Sequence, residues 1–286
     1  MPRLLVVGHV TWDRVAGTDV LGGSAAYAAL TAQRLGWESG VLTAAAADFV
    51  PERDLPGVSV FCRSAKATTR FENAYGEGGG RRQALTARSD DIDLAVLPDS
   101  WRNPDGLFLA PVAGEVGGGL AGAFEATVVG AGAQGWLRQF DAAGNASPRR
   151  WENPATDLAG VHVLFLSEQD LPDAGRAAHE LLAAVPMVVL TRGWEGLTLL
   201  TREGAQDIPS LPREEVDPTG AGDVFAAAFL LRYHETLDAQ EASIFAACAA
   251  SCAVEAVGTG GLGDRAEVQS RIALRERLVE EGEWDE

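Results

Sequence analysis

The chain has 286 residues, 47% of them hydrophobic, and sets 41 acidic side chains against 23 basic ones for a formal charge of −18. That balance argues against a nucleic-acid partner, which needs excess Lys and Arg, and no apolar run nears the ~18 residues of a membrane span. Cys62, Cys248 and Cys252 are too sparse for a disulfide scaffold and suit a reducing cytoplasm, and the Met-Pro-Arg-Leu-Leu-Val-Val-Gly opening is too brief for a secretory apolar region. Lys66 is the sole lysine, and its Ser-Ala-Lys-Ala-Thr setting excludes a Gly-x-x-x-x-Gly-Lys-Ser/Thr phosphate loop and lysine-dependent pyridoxal chemistry.

In chain order, Leu4–Val7 is an apolar run closed by Gly8, the pattern of a buried strand. Gly22-Gly23 opens an Ala/Leu-rich helix over Ser24 to Leu35, stopped by Gly36. From Val58 to Ala87 short alternating runs (Val58–Cys62, Thr68–Tyr75, Arg81–Ala87) surround Gly76-Glu-Gly-Gly-Gly80, which predicts a small antiparallel sheet, a lid at about 58–90. Parallel-type strands are expected at Gly106–Ala110, Ala126–Val129, Val161–Leu166 and Met187–Thr191, with a helix over Pro172–Ala184 and an antiparallel piece at Gly196–Leu200. Helices are expected over Ala221–Tyr233, Ala239–Val257 and Asp264–Glu281. Strands alternating with helices predict one three-layer α/β/α domain over residues 1–286 with a mainly parallel sheet.

The sharpest motif is Asp217-Pro-Thr-Gly-Ala-Gly-Asp223 leading straight into Val224-Phe-Ala-Ala-Ala-Phe-Leu. Small residues at Gly220, Ala221 and Gly222 let a backbone approach a ligand and aim N–H groups at one point on a helix N-terminus, where an anion is favoured. The bland alternative is a tight turn with an Asp cap. Gly130-Ala-Gly-Ala-Gln-Gly135 matches the dinucleotide fingerprint, but the following Trp-Leu-Arg-Gln-Phe reads as turn and strand, so a nicotinamide or flavin site is disfavoured. Cys248 and Cys252 share a helix face and read as packing; His9, beside Asp13, is expected to line a pocket; Glu280–Glu286 reads as a solvated tail. In the lid, Arg63, Lys66, Arg70, Arg81, Arg82 and Arg88 against Glu72 and Glu77 read as edge protection, or as arginines reaching over a substrate.

The heptad with its following helix resembles the C-terminal signature of the ribokinase-like, PfkB-type carbohydrate kinases, and the resemblance runs through nearly the whole chain. Gly8-His-Val-Thr-Trp-Asp13 is similar to the family's first strand and its closing Asp; Gly22-Gly23 and its Ala-rich helix resemble the di-glycine hinge; Thr191-Arg-Gly-Trp-Glu-Gly196 resembles the Thr-x-Gly-x-x-Gly turn along the nucleotide; Ala246–Ala250 resembles the helix beside the adenine. The resemblance implies Asp223 as catalytic base with Gly220, Ala221 and Gly222 as the anion cradle, and an acceptor held by Asp13, Thr11, Gly22, Gly23, Tyr27, Asp217 and Arg70. It further implies ATP along Thr191, Gly193, Gly196, Thr219 and Ala247, and Mg2+ at Asp170 and Ser167, through water. The chain departs from the family pattern at Thr11 and Tyr27, where Asn is usual, and at Ser167-Glu-Gln-Asp170 in place of Asn-x-x-Glu.

Together these point to ATP-dependent phosphoryl transfer to a hydroxyl of an uncharged sugar, cyclitol or nucleoside, with the lid closing over the site and a homodimer formed through it. The rival readings are a degenerate member that binds without turnover and an NAD-binding oxidoreductase.

Overall fold

The computed structural model describes residues 1–15, 17–75 and 81–281, and side chains within them except those of residues 73–75, 81 and 82. The Gly76–Gly80 turn, Glu77, the side chains of Arg81 and Arg82, and the end of the acidic tail lie outside that description.

The strands are β1 (Arg3–Val7), β2 (Thr11–Val15), β3 (Thr18–Gly22), β4 (Glu38–Ala45), β5 (Ser59–Ser64), β6 (Thr69–Tyr75), β7 (Arg81–Ala87), β8 (Gly106–Leu109), β9 (Val128–Gly132), β10 (Arg138–Phe140), β11 (Ala146–Pro148), β12 (Val163–Ser167), β13 (Met187–Thr191), β14 (Leu197–Thr201) and β15 (Gly204–Ile208). The helices are α1 (Ser24–Arg34), the single turns α2 (Pro51–Asp54) and α3 (Pro154–Asp157), α4 (Ala174–Leu181), α5 (Ala221–Thr236), α6 (Ala239–Ala253) and α7 (Arg265–Glu280). Nine strands form the main sheet in the order β15-β14-β13-β12-β9-β8-β1-β4-β5. Its strands pair in parallel except at β13–β14 and β14–β15.

Alternation along the buried strands divides the core in two. Leu4 and Val6 face α1, α5 and α6, whereas Leu5 and Val7 face α4, Trp101 and Trp136. This is the expected three-layer α/β/α architecture. Helix α5 lies deepest: every residue from Val224 to Leu231 is buried, as befits a helix apolar on all sides. Helix α7 starts with a capping box in which Asp264 accepts from the Glu267 N–H and Glu267 reaches back.

A second sheet, β3-β2-β6-β7, forms the lid. Here the sequence reading needs correction. The run Val58–Cys62 belongs to β5, paired in parallel with β4 at the edge of the main sheet, so the lid does not begin at residue 58. Two of its four strands come instead from residues 11–22, whose Trp-Asp-Arg and Thr-Asp-Val stretches carry too many polar residues to read as strands. Strand β4 likewise has no clear strand signature in the sequence, because Ser39, Gly40 and Thr43 interrupt its apolar run.

The Gly130–Gly135 stretch has a packing explanation. A Cβ on Gly130 would meet Leu230 at 2.8 Å, and one on Gly135 would collide with the Pro111 carbonyl. These glycines let α5 and the loop after β8 approach the sheet, and β10 follows in place of a glycine-opened helix.

Candidate active site

In a parallel sheet, loops leaving the carboxyl ends of the strands converge on a common edge, where ligands bind. Gly8–Val10 leave β1, Pro111–Ala113 leave β8, Ala133–Gly135 leave β9, Glu168–Asp170 leave β12 and Arg192–Gly196 leave β13. Buried Glu115 ties the first two together by accepting from the N–H groups of His9 (3.0 Å), Val112 (3.0 Å) and Ala113 (2.7 Å). His9 is fully buried, with its ring nitrogens 2.8 Å from Thr69 Oγ1 and 2.8 Å from the Asp90 carbonyl. It braces the wall and does not line the pocket.

At this edge one pocket brings together Thr11, Asp13, Gly23, Tyr27, Thr219, Gly220 and Asp223 of the predicted residues. Asp13 stands on β2, in the lid and not on the first strand of the main sheet, and accepts from the Thr11 hydroxyl at 2.8 Å. Gly22 and Gly23 are required by close approach: a Cβ on Gly22 would fall 2.6 Å from Asp13 Oδ2, and Gly23, at φ 88°, runs beneath the His9 carbonyl. Gly220, at φ 79°, caps α5, and a Cβ there would strike the ring of buried Tyr27. Tyr27 is thus the floor beneath the Gly220 turn. Beyond Gly222 the space is open.

Asp223, in the first turn of α5, is half-buried. Desolvation pushes its carboxyl up to about 6, against the lowering effects of a hydrogen bond from Ser24 and of Arg138, with Asp170 and Asp13 adding like-charge repulsion. A carboxylate held there at the top of its range is a stronger proton acceptor than an ordinary Asp.

Other predicted residues are placed elsewhere. Asp217 spends both carboxylate oxygens on backbone, accepting from Thr219 N and Gly258 N at 3.0 Å each, and so shapes the loop behind the pocket. Arg70 is ion-paired with Asp19 (2.6 Å) and Asp48 and lines a separate hollow on the outer side of the lid, with Trp12. Arg88 pairs with Asp91, and Arg63, which lies on β5 of the main sheet and not in the lid, pairs with Asp93. Thr191, Gly193 and Gly196 form the β13–β14 turn, Gly196 at φ 101° fitting against the Ile208 carbonyl, and Ala247 is a partly exposed residue of α6; none of these lines the pocket. Ser167 N donates to Asp170 Oδ2 at 2.8 Å, and burial holds the Asp170 carboxyl above its ordinary range. Among the described residues no group of three or more His, Cys, Asp or Glu is disposed to hold a metal. Cys248 and Cys252 are buried free thiols on one face of α6.

The pocket also contains residues that sequence reasoning missed: Ser24, Phe71, Gln83, Val112, Gln134 and Arg138. Phe71 pairs with Asp13 across β2–β6 and supplies an aromatic wall. Because successive side chains alternate, Thr11 and Asp13 face in and Trp12 faces out. Gln134 lies within the Gly130–Gly135 stretch that begins in β9, and Arg138 three residues beyond it; the signal was there, but it resembled a different fingerprint.

Residues 153–264 match the family model described as pfkB family carbohydrate kinase. The chain is 31% identical to the inositol 3-kinase of Oryza sativa subsp. japonica over 290 residues, spanning 89% of this chain and 68% of that protein. It is 31% identical to the nucleoside kinase of Methanocaldococcus jannaschii over 103 residues, so that match spans only about a third of either protein (34% of each). Among solved structures, a pyrophosphate-dependent kinase in the ribokinase family, complexed with a pyrophosphate analog and myo-inositol, superposes with a TM-score of 0.79 at 20% identity, covering 93% of this chain and 99% of that one.

Proposed function

The chain belongs to the pfkB, or ribokinase, family of carbohydrate kinases, and we propose that it transfers the γ-phosphoryl group of ATP to a hydroxyl of a small uncharged polyhydroxy acceptor: a sugar, a cyclitol such as inositol, or a nucleoside. The observation that carries this reading is the pairing, in one pocket, of Asp223 at the N-terminus of α5 with the Thr11–Asp13 pair on the lid.

Asp13 accepts hydrogen bonds from acceptor hydroxyls, while Tyr27, Phe71 and Val112 offer apolar surface to a ring face. The chosen hydroxyl lies against Asp223, which takes its proton as the oxygen attacks phosphorus. The transition state is loose, so positioning and charge stabilisation dominate, and the small residues Gly220–Gly222 at the helix N-terminus receive phosphoryl oxygens. Closing the lid over the pocket excludes water that would otherwise take the phosphoryl group.

A single carboxylate, Asp170, suits the usual mode of magnesium, which keeps most of its waters and takes phosphate oxygens from the substrate. When bound there it would neutralise donor charge. ATP is favoured over pyrophosphate by Trp194, which is 82% exposed on the β13–β14 turn; an unburied indole suits stacking on a base, and pyrophosphate has none.

The test is a donor–acceptor screen of the purified chain: ATP and pyrophosphate, each against myo-inositol, ribose, adenosine, cytidine and fructose 6-phosphate. Turnover of ATP with a neutral acceptor is expected; binding without turnover would favour a degenerate member. Calorimetry with NADH, expected to show no binding, disposes of the oxidoreductase.

A further inference from the structure

We propose that Arg138 is a catalytic residue of this chain, its guanidinium binding the phosphoryl group during transfer, and that Gln83 on lid strand β7 positions it. The inference rests on the kinase reading and goes beyond it, because none of the motifs that place the chain in its family contains either residue.

The need for such a residue follows from the charges at the site. Asp13 and Asp223 line the pocket, and Asp170 lies close enough for its charge to act on Asp223. A donor phosphate chain must therefore enter against three carboxylates in a −18 protein that offers no lysine for the purpose. Among the described residues lining the pocket, Arg138 is the one with a basic side chain. It stands at the start of β10, delivered there by the turn in which Gly135 packs on Pro111. It lines the pocket together with Asp223, and its charge acts on both Asp223 and Asp170.

Arg138 Nη1 donates to Gln83 Oε1 at 2.7 Å, a contact between the body and the lid. A guanidinium carries five N–H donors in a planar fork, enough to hold Gln83 and phosphoryl oxygens together. In the transfer, the acceptor oxygen forms a bond to phosphorus while the bond from phosphorus to the leaving nucleoside diphosphate breaks. The leaving group keeps that electron pair, and the acceptor proton passes to Asp223. Charge spreads over the three equatorial oxygens, where a fixed cation lowers the barrier. Because the lid strand holds the guanidinium, the catalytic constellation is completed from the same element that covers the acceptor.

The experiment is steady-state kinetics of the whole chain with ATP and its best acceptor, for wild type, Arg138→Ala, Arg138→Lys, Gln83→Leu and the Gln83→Leu/Arg138→Ala double variant. Removing one such donor should lower kcat by about 100- to 1,000-fold. The acceptor KM should change by less than about threefold, since an interaction made only in the transition state leaves ground-state binding alone. Arg138→Lys should recover part of the rate, and millimolar guanidinium chloride should partly restore Arg138→Ala, which a misfolded variant would not show. Gln83→Leu should slow wild type by about tenfold yet add little to Arg138→Ala, the non-additivity of residues acting together. An active wild type beside an equally active Arg138→Ala, or a loss confined to the acceptor KM, overturns the role of Arg138 and leaves the kinase reading standing. No turnover by wild type with any donor overturns both.

Discussion

Among single residues, Asp223 is where the proposed chemistry is most directly tested. Asp223→Asn should lower kcat by about two to four decades, the scale of general-base loss, while ATP binding measured by calorimetry persists. The pH dependence has a definite sign. Asp223 accepts a proton only when ionised, and burial raises it to about 6, so kcat/KM should fall about tenfold per unit below pH ~6 and level off above it. Stability should run the other way: between the ordinary 3.8 and about 6 the folded chain holds a proton that the unfolded chain has lost. Asp223 therefore contributes a decline in stability as pH rises through that window, and Asp223→Asn should flatten it in thermal melts. At the β13–β14 turn, proposed to meet the donor base, Trp194→Ala should raise the KM for ATP without affecting pyrophosphate or acceptor binding; unchanged ATP kinetics would show that the indole takes no part. The motif residues Thr11, Asp13, Thr219, Gly220 and Asp223 were legible because each is fixed by neighbours in sequence. Phe71, Gln83 and Arg138 were not, because they reach the pocket through strand pairing across long separations.

At the level of elements, what the sequence shows well is what burial dictates. The apolar strands β1, β12 and β13 and the all-buried α5 stand out because both faces are covered. What it hides is partnership: β5 is similar in texture to the lid strands and is told apart only by pairing with β4, and β2–β3 looks like a polar loop until β6 is set beside it. The glycines join these elements to the chemistry. A Cβ on Gly22 would lie 2.6 Å from Asp13 Oδ2, so Gly22→Ala should displace that carboxylate and cost about 100-fold in kcat/KM for the acceptor, the scale of an ångström's misplacement. Gly222→Ala is a cleaner probe, since no protein atom lies within 4 Å of the added carbon. It should leave the melting temperature nearly unchanged and raise the donor KM; an unaltered donor KM would mean that this turn meets no phosphate.

Across the molecule, the proposed preference for a neutral acceptor follows from charge. A −18 surface repels anions at long range, although salt screens this beyond ~8 Å, and Asp13 at the pocket would repel a phosphate placed beside it. The proposed donor, ATP, would bring magnesium with it, whereas a sugar phosphate acceptor has no such escort. An arginine reaching over the site from the lid would favour a phosphorylated acceptor, but Arg70 is committed to Asp19 and Asp48. Arg70→Ala should therefore loosen the lid against the body without changing the order of preference among acceptors. A homodimer through the lid remains a proposal, to be read from light scattering. The central claim is Asp223-dependent phosphoryl transfer to a neutral polyol, and 31P NMR of ATP mixed with myo-inositol or cytidine, run in parallel on wild type and Asp223→Asn, tests it most directly. A new phosphomonoester resonance should grow with wild type and be slower by about 100-fold or more with the variant. A resonance that appears only with fructose 6-phosphate, or one that grows equally fast in both proteins, would contradict it.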